Sequence, residues 1–463
     1  MTSPLIWIAF PLLIAVVLWF LQQKTRLVPG LATGLCVILA LLAWLVPIGT
    51  AIKLGPWSLE IQPALVIFGR RFFLESSDRY FLVLLYGMGA FWFFGTNVAG
   101  ANRLFVPIGL AIIALLVAAM AVEPFLYAAL LIELAVLLSI PMFVPPGKKS
   151  GQGVVRYLIF QTLALPFILL AGWAASGVEA NPTDTKLLLQ AVLLLALGFS
   201  FWLAIFPFYT WVPLLSQDTH PYISGFILSL LPTAVFLLML NFLDNFSWLR
   251  SYPLLAQVLR LSGTLMVVTG GIWAAFQTNP LRLSGYAVIM ESGFALLAVS
   301  LQNRVGLEIF AAAQFPRMLA QALWALACSI LIKEDPSMDF IGLKGRLRHY
   351  PVASSALLLA YFSLAGLPLL AGFPLRLALL VNLAQQSYLM MGWLSIGILG
   401  FLLSGFRMLS MFSTSEENTW QVNEKWPQVL LLGIGSVGLF LIGLFPKFFL
   451  SGFLAILQVF KHL

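Results

Sequence analysis

Long apolar runs recur along the whole chain, and they restrict its fold more than any other feature. A bilayer-spanning helix needs about 20 apolar residues, and this window predicts about fourteen spans. Within hydrocarbon, every backbone N–H and C=O group must find an internal partner, and apolar runs of this length do so as helices. The sequence therefore predicts an all-α polytopic membrane protein. The predicted spans lie at about 4–22, 29–50, 80–98, 104–121, 123–144, 155–176, 187–208, 222–243, 254–276, 284–301, 306–332, 352–385, 389–412 and 427–449.

Composition supports a membrane location and excludes several other classes. Of 463 residues, 61% are hydrophobic and 9% are charged, whereas a soluble domain carries about 25% charged residues. The net charge of +8 comes from basic residues in short loops, which is not typical of a nucleic-acid-binding surface. Cys36 and Cys328 both lie in apolar runs, which argues against a disulfide framework and against a cysteine-ligated metal or iron–sulfur site.

The basic residues also predict how the chain lies in the membrane. Cytoplasmic loops carry an excess of Lys and Arg, and the loops after odd-numbered spans hold the larger share. We therefore expect a multi-pass protein of a bacterial plasma membrane, with both termini outside the cytoplasm. The basic residues after odd-numbered spans are Lys24, Arg26, Arg103, Lys148, Lys149, Arg282, Lys333, Lys344, Arg346, Arg348 and Lys425.

Two of the apolar runs are interrupted near their middles, at 206–213 and 366–374. A broken helix inside a membrane is tolerated only where its backbone lines a cavity or is buried in protein. Two such breaks at corresponding positions point to an inverted-repeat transporter and its ion path. The residues that mark the breaks are Pro207, Trp211, Pro213, Pro368, Gly372 and Pro374.

The breaks predict how the chain is divided. Spans 4–8 and 9–13 form two five-helix repeats, each with its broken helix in fourth place. Because each repeat has an odd number of helices, the two face opposite sides of the membrane. The predicted divisions are 1–103 with spans 1–3 and an amphipathic loop, 104–250 and 251–412 with the two repeats, and 413–463 with the last span and tail. Segment 53–79 is predicted to be a loop.

Charged side chains within spans cost about 2.5–3.5 kcal/mol each at the helix centre, so each needs a reason. Glu133, Glu291, Arg317 and Arg376 are the candidates for a proton or cation path. They can also be read as buried Glu–Arg pairs that fix helix packing, and the sequence leaves both interpretations open. The remaining intramembrane charges are Glu123, Arg156, Arg260, Glu308 and Arg407; Glu123 lies at a predicted membrane edge, and Arg156 and Arg407 can reach an interface.

Four stretches resemble one known family. Residues 206–213 with Pro221 are similar to the motif PFHxWLP…AP, and 361–368 with 371–376 are similar to SLAGIPP…GFxxK. Glu133 falls where the family has its span-5 glutamate, and Arg156-Tyr157 resembles the Lys-Tyr that opens span 6. Over roughly residues 80–412 the chain resembles the antiporter-like membrane subunits of complex I (NADH:quinone oxidoreductase). Multisubunit Na⁺/H⁺ antiporters and membrane-bound hydrogenases have subunits of the same superfamily.

The chain also departs from this family at its basic residues. Trp202 stands where the resemblance implies the span-7 lysine that pairs with Glu133, and the span-8 lysine has no counterpart. Glu291 replaces a span-10 histidine, Arg317 and Gln321 fall on a His/Lys pair, and Arg376 replaces the span-12 lysine. Arginine stays charged and is a poor proton carrier. We expect a diverged member that either conducts protons or serves as a scaffold and coupling subunit.

The resemblance implies a membrane-arm subunit whose partners are other membrane-arm subunits and the lipid bilayer, with no nucleic acid. We expect no cofactor in this chain, and NADH, FMN, iron–sulfur clusters and quinone on partner subunits. The alternative is a subunit of a multisubunit cation/proton antiporter or membrane-bound hydrogenase-type complex. A self-contained solute transporter and a non-transporting assembly protein remain open. The solute transporter ranks last, because spans 7 and 8 offer little beyond Ser200, Thr210 and Ser229 for a polar pocket.

Overall fold

Helices make up most of the computed structural model. It describes residues 2–24, 27–54, 57–67, 69–147, 149–181, 184–333, 338–414, 420–460 and 462–463. Arg26 and Lys148, which entered the orientation prediction, lie outside these residues. The helices are α1 (Phe10–Phe20, preceded by a π-helical turn at Leu5–Ala9), α2 (Leu27–Leu45), α3 (Arg79–Ala99), α4 (Phe105–Ala121), α5 (Ala128–Phe143), α6 (Gln152–Ala180), α7 (Thr185–Trp202), α8 (Trp211–Asp218), α9 (Pro221–Asn245), α10 (Ser247–Arg250), α11 (Leu255–Phe276), α12 (Pro280–Val299), α13 (Arg304–Leu331), α14 (Arg346–His349), α15 (Pro351–Ala365), α16 (Phe373–Ala384), α17 (Tyr388–Ser413), α18 (Trp426–Leu444) and α19 (Pro446–Leu454).

Ten helices in the described part of the chain are long and apolar enough to cross a membrane. Helices α1 and α4 are shorter apolar helices, α13 is long but more polar, and α15 with α16 form one interrupted span. Together these are consistent with the fourteen predicted spans. The chain is a multi-span integral membrane protein.

A small β region departs from the predicted loop at 53–79. Strands β1 (Ala51–Leu54) and β2 (Trp57–Glu60) form one antiparallel hairpin, and β3 (Ala64–Ile67) and β4 (Arg70–Phe73) form another. The short strand β5 (Val122–Glu123) pairs with β4, with Arg71 opposite Glu123. The loop prediction was wrong here, because the segment pairs with itself in two hairpins, and the second of these gains strand β5 from some fifty residues later in the chain.

Helix α9 forms the centre of the bundle and is buried around its whole circumference. It packs against α3, α4, α5, α12 and α13. A helix that is apolar on every side belongs in such a core. Helix α13 is nearly as buried and packs against α9, α12, α15 and α18. These two helices place the middle of α13 beside the second helix break.

The same neighbour relations occur twice along the chain. In the first half α4 packs on α5, α5 on α6, α6 on both α7 and α8, and α9 returns to α4. In the second half α11 packs on α12, α12 on α13, α13 on both α15 and α16, and α17 returns to α11. This pattern is consistent with two five-helix repeats. The residue boundaries 104–250 and 251–412 stay predictions.

Candidate functional site

The second helix break is a tight bend made by two glycines. Helix α15 ends at Ala365, and Gly366 takes a φ of +81°, a left-handed conformation that favours glycine. A Cβ on Gly366 would lie 2.4 Å from Cδ of Arg376, and one on Gly372 would lie 2.0 Å from the carbonyl oxygen of Ser363. Neither of these two positions therefore has room for a larger residue. Pro368 lies within it, and Pro374 is in the first turn of α16.

Arg376 closes this break and ties it to α12. The residue is 8% exposed, and its Nη2 donates both to the carbonyl oxygen of Leu364 and to the Glu291 carboxylate. Leu364 is in the last turn of α15, where carbonyl groups have no helical partner. The guanidinium carbon also lies 3.7 Å from the ring centroid of Phe294. One side chain thus caps the broken helix and forms a buried ion pair.

Arg317 lies nearby on α13, and its hydrogen-bond partners in the described part of the chain are neutral. It is 5% exposed. Its Nη2 donates to the carbonyl oxygen of Ser229 at 3.3 Å, to Oε1 of Gln314 at 3.0 Å and to the hydroxyl group of Thr233. Ser229 and Thr233 belong to α9, so this guanidinium connects the two most buried helices.

Glu291, Arg317 and Arg376 line one cavity of about 50 Å³. A water molecule needs about 10–15 Å³ of cavity volume, so the cavity has room for a few waters. Several nitrogens around it have no hydrogen-bond partner among the described residues: Nε and Nη1 of Arg376, and Nε of Arg317. The structure therefore brings three of the four predicted path residues together at a polar cavity in the second repeat.

A smaller cavity of about 20 Å³ lies between the starts of α9 and α12 and the middle of α13. Ser284, Gln321 and Trp324 line it, and Leu364 lines both this cavity and the larger one. Both polar atoms of the Gln321 amide and the indole nitrogen of Trp324 lack a partner in the described part of the chain. Leu364 thus stands between two cavities that can hold water.

The first helix break has the same plan but neutral groups. Helix α7 ends at Trp202, Phe208–Thr210 form one 3₁₀ turn, and α8 begins at Trp211. Nε2 of Gln161 donates to the main-chain carbonyl oxygen of Trp202 at 3.2 Å. The Trp202 indole nitrogen donates in return to the main-chain carbonyl oxygen of Gln161 at 3.1 Å. Trp202, at the position where the resemblance implies a lysine, is used here to hold α7 to α6.

Apolar contacts fix the other residues of the first break. Pro207 stands directly before the 3₁₀ turn. The Trp211 ring packs against the Tyr157 ring, with 5.3 Å between the ring centroids. Pro213 lies so close to α12 that a Cβ on Gly285 would come within 2.5 Å of the proline Cα. Helix α8 of the first repeat therefore packs directly against α12 of the second.

Glu133 lies apart from the other three candidates. It is 6% exposed, and its Oε1 accepts a 2.7 Å hydrogen bond from the hydroxyl group of Thr162 on α6. Its Oε2 has no partner among the described residues. Glu133 is not among the residues that line either cavity. Its surroundings hold it with a neutral group and not with a base.

Two further acidic residues, one in strand β5 and one in the first turns of α13, form ion pairs at the surface. Glu123 pairs with Arg71 at 3.4 Å, with both side chains about half exposed. Glu308 pairs with Arg304 at 2.9 Å, one turn apart on α13. Such exposed pairs contribute about 0–1 kcal/mol each. They explain these charges without a transport role.

The remaining arginines pair with backbone oxygens or face outward. Arg407 donates to the carbonyl oxygen of Ala275. Arg260 donates to that of Ser300 at 3.4 Å. Arg156 is exposed. None of the three lines the cavity beside Arg376.

Reasoning from charge alone missed Gln314, Thr233 and Phe294. The sequence did contain one feature that indicates a role for Gln314. Gln314, Arg317 and Gln321 follow a spacing of three and four residues, which places them on one face of a helix. A polar stripe on a buried helix is a sign of a hydrated cavity. In the described residues, no group of three or more His, Cys, Asp or Glu side chains could hold a metal ion.

Known proteins are similar to this chain in sequence and in fold. The family model described as NADH:quinone oxidoreductase/Mrp antiporter, TM, matches residues 174–404. NADH-quinone oxidoreductase subunit N 1 of Herpetosiphon aurantiacus is 26% identical, over 66% of this chain and 67% of that protein. Many further relatives share comparable similarity.

Solved structures share the fold over almost the whole chain. A chain of the Mrp complex from a Dietzia species superposes with a TM-score of 0.83 at 16% identity, covering 99% of this chain and 97% of that one. A chain of respiratory complex I from Thermus thermophilus superposes with a TM-score of 0.73 at 20% identity, covering 98% of this chain and 100% of that one. The matched proteins are subunits of multisubunit membrane complexes. The chain belongs to the family of antiporter-like membrane subunits shared by NADH:quinone oxidoreductases and Mrp antiporters.

Proposed function

We propose that the chain is a membrane-arm subunit of a complex I-like NADH:quinone oxidoreductase and contributes to proton translocation. The family match and the relatives named as NADH-quinone oxidoreductase subunit N support this assignment. NADH, FMN, iron–sulfur clusters and quinone belong on partner subunits in this proposal. The chain itself supplies the path through the membrane and the contacts to its neighbours.

The ion pair between Glu291 and Arg376 is the observation that carries the proposal. Arg376 keeps its charge at all relevant pH values, so Glu291 is the side chain of the pair that exchanges a proton. When Glu291 takes up a proton, the ion pair loses its attraction and Arg376 keeps its bond to the Leu364 carbonyl oxygen. A carboxylate that takes up and releases a proton beside a hydrated cavity can pass protons on in steps.

Leu364 gives this path a place to be interrupted. It stands between the cavity at Glu291 and the smaller one at Gln321, and its carbonyl oxygen accepts the Arg376 bond. Movement of Arg376 therefore acts on the residue that separates the two cavities. Glu133 is the second carboxylate of the proposal, in the first repeat.

The proton path is tested by measuring protons moved per electron in the assembled complex, reconstituted in vesicles. We expect E291Q to lower this ratio, because glutamine cannot exchange a proton. E133Q tests the first repeat separately, and an unchanged ratio would leave Glu133 a structural role. If E291Q leaves the ratio unchanged as well, the chain is a scaffold and coupling subunit. E308Q, at an exposed ion pair, is the matched control.

The second candidate is a subunit of a cation/proton antiporter or a membrane-bound hydrogenase-type complex. The fold matches a chain of the Mrp complex with a TM-score of 0.83 and a chain of complex I with a TM-score of 0.73, and a fold that both kinds of complex share does not choose between them. Purification through a tag in mild detergent, followed by mass spectrometry, separates the two. Flavin together with iron–sulfur subunits supports the first candidate. Iron–sulfur subunits without flavin, or small membrane partners alone, support the second, and a lone chain contradicts both.

The location proposed for the chain is a bacterial plasma membrane, with both termini outside the cytoplasm. The larger share of basic residues in loops after odd-numbered spans supports this orientation. Tags at the two termini, treated with protease in spheroplasts, test it directly. Cleavage of both tags without lysis is expected. Protection of both tags would reverse the orientation.

A further inference from the structure

The cavity at the second break holds more positive than negative charge. Arg317 and Arg376 line it, and Glu291 is the one acid among its described lining residues. Both arginines are at most 8% exposed and stay charged. Leaving a buried charge without a counter-charge is strongly unfavourable. One positive charge in this cavity remains uncompensated by the side chains around it.

The hydrogen bonds of the two guanidinium groups point the same way. Glu291 and the Leu364 carbonyl oxygen both use Nη2 of Arg376, while its Nη1 and Nε have no partner among the described residues. Arg317 also has an unpartnered Nε, and the acceptors at its Nη2 are all neutral oxygens. Buried N–H groups of a charged side chain are expensive to leave without an acceptor. Donors are in excess here, and acceptors are missing.

The cavity also has the size and surroundings of a small-ion site. Its volume of about 50 Å³ holds a few water-sized groups. The Phe294 ring covers one face of the Arg376 guanidinium group. Gln314 also lines the cavity, and it accepts a hydrogen bond from Arg317. The two arginines come from different helices, so a ligand between them is held from two sides.

We infer that this cavity binds a small monovalent inorganic anion of the size of chloride. The anion accepts hydrogen bonds from the unpartnered nitrogens of Arg376 and Arg317 and neutralises the excess charge. It also holds α13 against the broken helix α15–α16. The site depends only on the charges and donors of the cavity, so it goes beyond the proposed function and stands whether or not protons pass through this chain.

The test compares the thermal unfolding midpoint of the purified full chain in sodium chloride and in sodium gluconate at equal ionic strength. Gluconate is too large for the cavity. We expect chloride to raise the midpoint of the wild type with a saturable concentration dependence. R317Q leaves the neutral Glu291–Arg376 pair and should lose this dependence. E291Q removes the negative charge and should bind chloride at least about tenfold more tightly, because ionic attraction is strong in a low-dielectric site.

R304Q serves as the control, because it removes a positive charge from a side chain that is 90% exposed and should respond to chloride as the wild type does. An equal midpoint in both salts for the wild type would overturn the inference, as would an unchanged chloride response in R317Q. If R317Q does not fold, the wild type grown or soaked in bromide decides. Anomalous bromide density between Arg317 and Arg376 supports the site, and its absence at saturating bromide refutes it.

Discussion

The two broken helices share one plan and differ in the group that caps them. At the first break, the amide of Gln161 donates to the last carbonyl oxygen of α7. At the second, the guanidinium group of Arg376 donates to a carbonyl oxygen in the last turn of α15 and also binds Glu291. A neutral cap only satisfies the backbone. The charged cap also lies beside a carboxylate and a polar cavity, so the buried charged side chains of the site are concentrated in the second repeat.

The two buried carboxylates show the same contrast. Glu133 is on α5 and Glu291 is on α12, the second helices of their repeats. Glu133 has a hydroxyl group as its partner, whereas Glu291 has a guanidinium group. The resemblance implies a lysine where Trp202 stands in the first repeat, and in the second repeat Arg376 supplies the positive charge.

Breaking the charged cap should have the largest effect on stability. R376Q removes the guanidinium group that is hydrogen-bonded to Glu291, and the loss of one partner of a buried pair costs about 3–5 kcal/mol. Thermal unfolding in detergent measures the change. The double variant E291Q/R376Q should recover part of the loss, because no unpaired carboxylate remains. A double variant no more stable than R376Q would mean that the lost cap on Leu364, and not the ion pair, dominates.

G366A should have the next largest effect, because it stiffens and crowds the charged break. Alanine at a φ of +81° is strained, and its Cβ would lie 2.4 Å from Arg376. We expect a loss of about 1–3 kcal/mol. The matched control is G392A in α17, where a Cβ would meet nothing within 4 Å and a helical glycine gains up to about 1 kcal/mol on replacement by alanine. Equal effects at both glycines would contradict the close approach of Arg376.

Breaking the neutral cap should cost less. Q161M removes the donor to the Trp202 carbonyl oxygen, and an orphaned buried acceptor without charge costs about 1–2 kcal/mol. The unfolding midpoint is compared with that of Q190M, at an exposed glutamine on α7, which should be close to wild type. A loss as large as that of R376Q would show that the two caps do not differ in strength.

E133Q should have the smallest effect. Glutamine keeps an oxygen that accepts from Thr162 and removes a charge that has no cation partner among the described residues, so we expect a change below about 1 kcal/mol. E291Q, which breaks a buried ion pair, is the direct comparison and should lower the unfolding midpoint clearly more. If E133Q destabilises as much as E291Q, Glu133 has a cation partner from a neighbouring subunit.

Much of the fold was predictable because apolar runs and helix breaks are local features. A run of about 20 apolar residues has few alternatives in a membrane, and Gly366 and Pro368 mark a break wherever they lie. The two hairpins at 51–73 were missed, and the third strand of the second hairpin, Val122–Glu123, comes from about fifty residues further along the chain. Of the site, the charged residues were predictable as unusual, while their neutral partners Gln314 and Thr233 were not.

The sequence by itself determined that this chain crosses a membrane many times, that two of its helices break, and which charges need an explanation. Only the tertiary structure decided which charges meet. Arg376 and Glu291 are 85 residues apart, and no local pattern distinguishes their pairing from one with Arg317 or Glu133. Packing of α13, α12 and α16 decides it, because the energy of a buried charge depends on the few ångströms around it and not on its neighbours along the chain.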